Sequence, residues 1–210
     1  QRQMCIRDSI ITCLRTGYEI IIDAAIELDK LQTFFKSIPS VLFITHTHHD
    51  HIKYINSYIK NFPSISIAGN PKSKNNYGSD RFISVNDNTT IKIGELEILS
   101  IHTPGHYFDS ICYLVENVLF TGDTLFSLSC GRLFEGTYED MFKSLSLIKT
   151  FDEETLIYCG HEYTLANAKF CIKHDPNNEH LKKKIVSITD NLKAGIPTIP
   201  TILKEELKCN

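Results

Sequence analysis

The segment His46-Thr47-His48-His49-Asp50-His51 puts His46, His48, Asp50 and His51 within six residues of one another. Neutral imidazole and carboxylate are the ligands of zinc, iron and manganese, and so dense a cluster can bring three or four of them to one place. The cluster follows Val41-Leu42-Phe43-Ile44-Thr45, a short apolar run that reads as a buried strand. A strand end holds side chains rigidly while the turn after it lets several converge, which is what a metal ion needs. Three more residues repeat the device. His106 in Thr103-Pro104-Gly105-His106, Asp123 in Thr121-Gly122-Asp123 and His161 in Gly160-His161-Glu162 each come after a β-rich run and a glycine. With the first cluster they make five histidines and two aspartates, too many for one tetrahedral ion and suited to two ions sharing a carboxylate. A solvated His-rich loop is the bland alternative, and it leaves the three strand-end partners unexplained. His49, His102, His174 and His180 read as surface or supporting residues. Cys130 has no spare His–Asp pair to activate it and reads as an ordinary thiol.

The elements that must position these residues follow from the rest of the chain. Ile10 to Leu14 and Glu19 to Asp23, parted by Thr16-Gly17, read as strand, turn, strand. Ile26 to Lys36 carries apolar residues at 28, 31, 34 and 35, a helical spacing that Pro39 closes. Ile52 to Asn61 reads as a helix, Ser64 to Ala68 as a strand, and Asn70 to Asp80 as a polar loop. Phe82 to Val85, Thr90 to Ile93, Leu96 to His102, Ile111 to Val115 and Val118 to Thr121 form a run of short strands. Thr137-Tyr138-Glu139-Asp140 has the make-up of a helix cap, with Met141, Leu145 and Ile148 on one face after it. Thr155 to Cys159 is a last strand, and Thr164 to His174 and Asn178 to Leu192 are helical in pattern, with no further strand expected. Strands flanked by helices in both halves imply an α/β architecture of two sheets with helices outside. A boundary near residue 165 sets off a helical tail.

Composition narrows the classes. Two hundred and ten residues with 42% apolar content can bury one sizeable core. The charge of −3 and a single short basic run, Lys182 to Lys184, do not suit a binder of nucleic-acid phosphates. No apolar stretch approaches the ~18 residues of a membrane span, so a soluble chain is expected. Seven cysteines without a C-x-x-C pair fit neither a disulfide framework nor a zinc ribbon. They point to reduced thiols in a cytoplasm. Gln1 to Ser9 carries no secretory signal, resembles translated adapter sequence, and is set aside from the fold.

The set His46, His48, Asp50, His51, His106, Asp123 and His161 resembles the full ligand set of the metallo-β-lactamase superfamily, over roughly residues 10 to 163. The resemblance implies a four-layer αβ/βα sandwich with a two-metal site at one edge. It assigns His46, His48 and His106 to the first ion and Asp50, His51 and His161 to the second, with Asp123 bridging. Ser129-Cys130-Gly131-Arg132-Leu133-Phe134-Glu135-Gly136-Thr137 and Gly160-His161-Glu162-Tyr163-Thr164-Leu165-Ala166-Asn167 are similar to the substrate-side signatures of glyoxalase II, the hydroxyacylglutathione hydrolase family. That likeness implies a catalytic domain over 10–164 and a helical, substrate-covering domain over 165–210. It also implies a glutathione site lined by Arg132, Phe134 and Tyr163. Physical sense agrees, since an Arg fork pairs with carboxylates and a Tyr hydroxyl can donate to a peptide carbonyl.

The implied activity is metal-dependent hydrolysis of S-2-hydroxyacylglutathione, such as S-lactoylglutathione, to glutathione and a 2-hydroxy acid such as lactate, a step of methylglyoxal detoxification. Two divalent ions, zinc foremost with iron and manganese also suited, would bring a water to near-neutral acidity. Asp50 and Asp123 would be the catalytic carboxylates. The expected partner is the glutathione thioester, with neither nucleic acid nor membrane, and the expected state is a monomer. Two departures stand out. The family continues past Leu207 into an Asn-x-Phe-x-Arg segment, whereas Cys209-Asn210 is the end here and reads as a C-terminal truncation. Ile22-Asp23-Ala24-Ala25 also stands where Asp-Pro-Gly is usual. The competing readings are a persulfide dioxygenase-like mononuclear iron enzyme, a metal-dependent nuclease, and a truncated metal-binding remnant with little activity.

Overall fold

Strands buried on both faces read as continuous apolar runs, and their alternate side chains must face two different cores. The computed structural model, which describes residues 8–77 and 80–210, shows this directly. The first sheet has the order β1 (Ser9–Thr12), β2 (Glu19–Ile22), β3 (Val41–Phe43), β4 (Ser66–Gly69), β5 (Phe82–Ser84). β1 and β2 are antiparallel, and β2 to β5 are parallel. The second sheet runs β13 (Thr201–Ile202), β12 (Leu156–Cys159), β9 (Val118–Gly122), β8 (Ile111–Val115), β7 (Leu96–His102), β6 (Thr89–Ile93). β12 and β9 are parallel there, and the other neighbours are antiparallel. A small hairpin pairs β10 (Leu125–Phe126) with β11 (Ser129–Cys130).

Ile20, Ile22, Val41 and Phe43 meet Ile98, Ile111, Tyr113 and Phe120 between the sheets. Ile21, Leu42 and Ile67 point the other way and are covered by α1 (Leu28–Leu31), α2 (His49–Ile52) and α3 (Ile55–Asn61). On the far side Ile101, Cys112, Leu119 and Ile157 pack under Ile148 of α4 (Tyr138–Ile148) and Leu203 of α7 (Leu203–Cys209). Helix, sheet, sheet, helix is the four-layer sandwich that the resemblance implies. A separate cluster joins α5 (Thr164–His174) and α6 (Glu179–Lys193) to Leu128 through Ala168, Leu181 and Ile188.

Besides β13, a strand where none was expected after β12, four departures from the sequence reading have a tertiary reason. The helix expected over Ile52 to Asn61 begins earlier and breaks in two. The backbone of Ala24 inserts at the break, donating to His51 O at 2.7 Å and accepting from Tyr54 N at 2.9 Å. The helix expected over Ile26 to Lys36 holds only as α1 and a 3-10 turn, Gln32–Phe34, because the buried Glu19 carboxylate captures the N–H groups of Lys36 and Ser37. Part of the expected loop at 70–80 is a 3-10 helix, Pro71–Asn76, capped by the Asn70 side chain; positions 78 and 79 lie outside the described residues. Setting aside Gln1 to Ser9 is corrected at its end: Ser9 opens β1, and Asp8 accepts from Ala25 N at 2.6 Å and Ile26 N at 2.9 Å. Residues 1–7 lie outside the described residues.

Candidate metal centre

β7, β9 and β12 run the same way in the second sheet, and the turns that follow them meet the turn after β3 at a single edge. Two hydrogen bonds join the sheets there: Ile111 N donates to Thr45 O and the buried Tyr113 hydroxyl donates to Ile44 O, both at 2.8 Å. His46, His48, Asp50 and His51 leave the end of β3, His106 follows β7, Asp123 follows β9 and His161 follows β12. A bulge at Tyr158–Cys159 shifts the β9–β12 register just before His161, a common device next to functional sites.

The seven side chains converge in overlapping groups. Ligand atoms of His46, His48 and His106 lie within 4.8 Å of one another, as do those of His46, His51 and Asp123, and those of Asp50, His51 and His161. His48 Nδ1 stands 3.0 Å from His46 Nε2 and 2.9 Å from His106 Nε2. Ligands about 2.0–2.1 Å from a tetrahedral ion stand roughly 3.3 Å apart, so the three nitrogens are close to the spacing an ion requires. Asp123 sits between the groups. Its Oδ1 is 3.3 Å from His51 Nε2, and its Oδ2 is 3.6 Å from His106 Nε2 and 3.4 Å from His161 Nε2. Asp50 Oδ2 is 3.4 Å from His161 Nε2.

The fit to cations rests on two atoms. Among the described residues, the buried His51 Nε2 and Asp123 Oδ1 form no well-aligned hydrogen bond although they stand 3.3 Å apart, a costly arrangement unless something else satisfies them. An imidazole that gives up its proton opposite a carboxylate is what a divalent ion takes up, the ion's charge replacing the proton's. Around them burial holds the His46 imidazole, and to a lesser degree His106, below the ordinary histidine range, in the neutral form that ligates. Burial also opposes a charge on His51, but the carboxylates of Asp23 and Asp123 outweigh it and carry its pKa up to about 10. Burial pushes Asp123 up as well, and the His161 and His51 rings reverse this and hold it well below the usual carboxylate range.

Glycines make the close approach possible. A Cβ on Gly160 would stand 2.5 Å from Asp123 Oδ1 and 2.6 Å from His51 Cε1. One on Gly131 would collide with the Asp123 carbonyl and come within 2.8 Å of His106 Nδ1.

The three residues expected on the substrate side stand around the same opening. A cavity of about 400 Å³ is lined by His48, Asp50, His106, Asp123 and His161 together with Arg132, Phe134, Tyr163, Phe126 and His49. Tyr163 stacks on His161 at 4.7 Å and 10° between planes, and Phe134 packs edge-on against His48 and His106. The Arg132 guanidinium lies over the Phe134 ring, 5.5 Å from its centre. Arg132 O accepts from His106 Nδ1 at 2.6 Å, which fixes the tautomer that turns Nε2 inward.

Two supporting residues were not anticipated. Asp23 Oδ2 lies 2.7 Å from His51 Nδ1, and the same carboxylate accepts from Thr45 N and Thr45 Oγ1, both at 2.8 Å. Asp23 has φ +61°, a left-handed conformation that Asp tolerates better than most residues. An acidic residue ending an apolar strand was the available signal. Tyr107 packs 4.3 Å from His48, with no signal beyond adjacency to His106.

Comparison with known proteins agrees with this geometry. Residues 56–161 match the metallo-beta-lactamase superfamily model, a stretch that holds His106, Asp123 and His161 and begins after the first histidine cluster. Residues 162–210 match the model described as "Hydroxyacylglutathione hydrolase C-terminus". A curated hydroxyacylglutathione hydrolase from Pelagibacter ubique (strain HTCC1062) is 39% identical over 96% of this chain and 90% of its own length. The chain belongs to the hydroxyacylglutathione hydrolase family. A second member, from Citrobacter koseri, is 38% identical over 82% of this chain and 67% of its own. Among solved structures, ETHE1 from Myxococcus xanthus superposes with TM-score 0.65 at 25% identity, covering 95% of this chain and 89% of that one. A metallo-beta-lactamase from Staphylococcus aureus superposes with TM-score 0.72 at 21% identity, covering all of this chain and 60% of that one, and shows the fold alone.

Proposed function

We propose that this chain hydrolyses S-2-hydroxyacylglutathione thioesters, S-lactoylglutathione among them, to glutathione and a 2-hydroxy acid such as lactate. The observation that carries the reading is one cavity with convergent His and Asp ligands on its floor and Arg132, Phe134 and Tyr163 on its wall. His46, His48 and His106 would hold one divalent ion, Asp50, His51 and His161 a second, and Asp123 would serve both. Zinc suits this donor set first, with iron and manganese compatible. When bound, the ions supply Lewis acidity, polarising the thioester carbonyl and making a water acidic enough to attack near neutral pH.

The chain's own residues do the rest. Asp50, half-exposed at the cavity, orients the attacking water and accepts its proton. Arg132 pairs with a glutathione carboxylate, Phe134 offers an apolar surface, and the Tyr163 hydroxyl donates to a peptide carbonyl. A glutathione thiol with pKa near ~8.5, by analogy with Cys, departs as a thiolate without a strong acid. The segment 165–210 covers the bound tripeptide, supported by the packing of α5 and α6 on Leu128 beside the Ser129–Cys130 hairpin. A monomer in the cytoplasm completes the proposal, and the free thiols of Cys13, Cys112 and Cys159 suit a reducing compartment.

Elemental analysis of the purified chain paired with an S-lactoylglutathione assay tests the reading. Two ions per chain and hydrolysis abolished by a chelator are expected. One iron per chain with oxygen consumption on a glutathione persulfide would overturn it in favour of the dioxygenase. Two tightly held ions without thioester turnover would leave a metal-binding remnant.

A further inference from the structure

Asp109 lies three residues beyond His106 and is 1% exposed. Its Oδ2 accepts from Thr47 Oγ1 at 2.7 Å and from Ser73 Oγ at 2.8 Å, and its Oδ1 receives a longer bond, 3.4 Å, from Thr47 N. Thr47 is the residue between His46 and His48. The carboxylate therefore ties the loop that carries His106 to the loop that carries His46 and His48, and a third segment, the 3-10 helix at Pro71–Asn76, closes over it. All these donors are neutral, and among the described residues no lysine, arginine or histidine pairs with it. A buried carboxylate with only neutral partners is costly, and the cost falls when positive charge enters the neighbouring cluster.

We infer that Asp109 is a positioning residue for the three-imidazole group: through Thr47 it holds His48 Nδ1 and His106 Nε2 convergent, and its charge favours a cation there. The inference rests on the proposal that His46, His48 and His106 hold an ion. Asp23 bonds a proposed ligand ring directly, whereas Asp109 acts one residue removed, through the backbone and hydroxyl of Thr47. Outer partners of metal ligands typically account for about 10–100-fold in affinity.

The test is stepwise titration of the metal-stripped full chain with zinc against a chromogenic chelator, and with cobalt(II) followed by its d–d absorption, for wild type, Asp109→Asn and Thr47→Val. Asp109→Asn keeps shape and removes charge, and Thr47→Val keeps shape and removes the hydroxyl donor. The expected result is that one of the two binding constants weakens about 10–100-fold in Asp109→Asn, and in the same direction by less in Thr47→Val. The cobalt bands of that site should shift while the second constant holds. If Asp109→Asn does not fold, Thr47→Val carries the test alone. Unchanged constants and spectra in the folded variants would overturn the inference, as would equal weakening of both ions, the mark of general loosening. A wild-type chain that binds fewer than two ions would instead overturn the metal assignment beneath it.

Discussion

The floor and the wall of the cavity are built to different standards. Directly beneath the floor His51 is 0% exposed, its Nδ1 held 2.7 Å from Asp23 and its Nε2 facing Asp123 at 3.3 Å. On the wall Phe134 is 59% exposed and Tyr163 39%, and they are held by ring contacts at 4.7–5.3 Å. Side chains that must meet an ion at fixed distances need an outer layer that removes their freedom. Those that meet a flexible tripeptide gain from keeping some. Changes to the floor should therefore act on metal occupancy and turnover, and changes to the wall on substrate affinity.

Four substitutions sharpen or break that contrast. Asp123→Asn removes the carboxylate shared by the groups and should lower kcat on the order of 10³-fold or more, with fewer than two ions per chain by elemental analysis; wild-type turnover would end the assignment. Gly160→Ala places a methyl against Asp123 Oδ1 and His51, and about 10–100-fold weaker metal binding in a chelator titration is expected. Arg132→Ala removes a charge-assisted pairing of about 1.5–3 kcal/mol, so KM for the thioester should rise roughly tenfold or more. Steady-state kinetics should show kcat within a few-fold of wild type, and an equal fall in kcat would place Arg132 on the floor instead.

The smallest effect is expected at Glu206, which does not line the cavity. Its buried carboxylate accepts from Leu128 N at 2.8 Å and Thr201 Oγ1 at 2.7 Å, and burial raises its pKa above the ordinary value of 4.5. The folded chain then keeps a proton that the unfolded chain releases, so this contribution to stability is full below pH 4.5 and is lost as pH rises through the raised value. Glu206→Gln cannot ionise. Its Tm relative to wild type should climb as pH rises from below 4.5, and a flat difference across that range would show that the proton is not held.

The parts of the fold that were legible were those governed by local pattern. β3, β8 and the Ile20 to Ile22 part of β2 are buried on both faces and appear as unbroken apolar runs. The Thr137 to Asp140 cap is a reciprocal box, with Asp140 N donating to Thr137 Oγ1 at 3.1 Å and Thr137 N donating to Asp140 Oδ2 at 2.9 Å. The seven converging residues were legible because four crowd into six positions after an apolar strand and the other three each follow a strand and a glycine. What escaped depends on distant partners. The break between α2 and α3 is made by Ala24, about thirty residues upstream in the chain. β10, β11 and β13 are two residues each, too short to carry a period, and α7 starts directly after β13 without a side-chain cap. Tyr107 became visible only through what it touches, and Asp23 had only its place at the end of an apolar strand to mark it.

The pair of hydrogen bonds from Ile111 and Tyr113 to the end of β3 has a mechanical meaning. They rivet the two halves of the molecule directly beneath the place where the His and Asp side chains of both halves meet. Sliding one half past the other would strain those rivets and splay the converging side chains together, so the cluster doubles as a gauge of the sandwich's alignment.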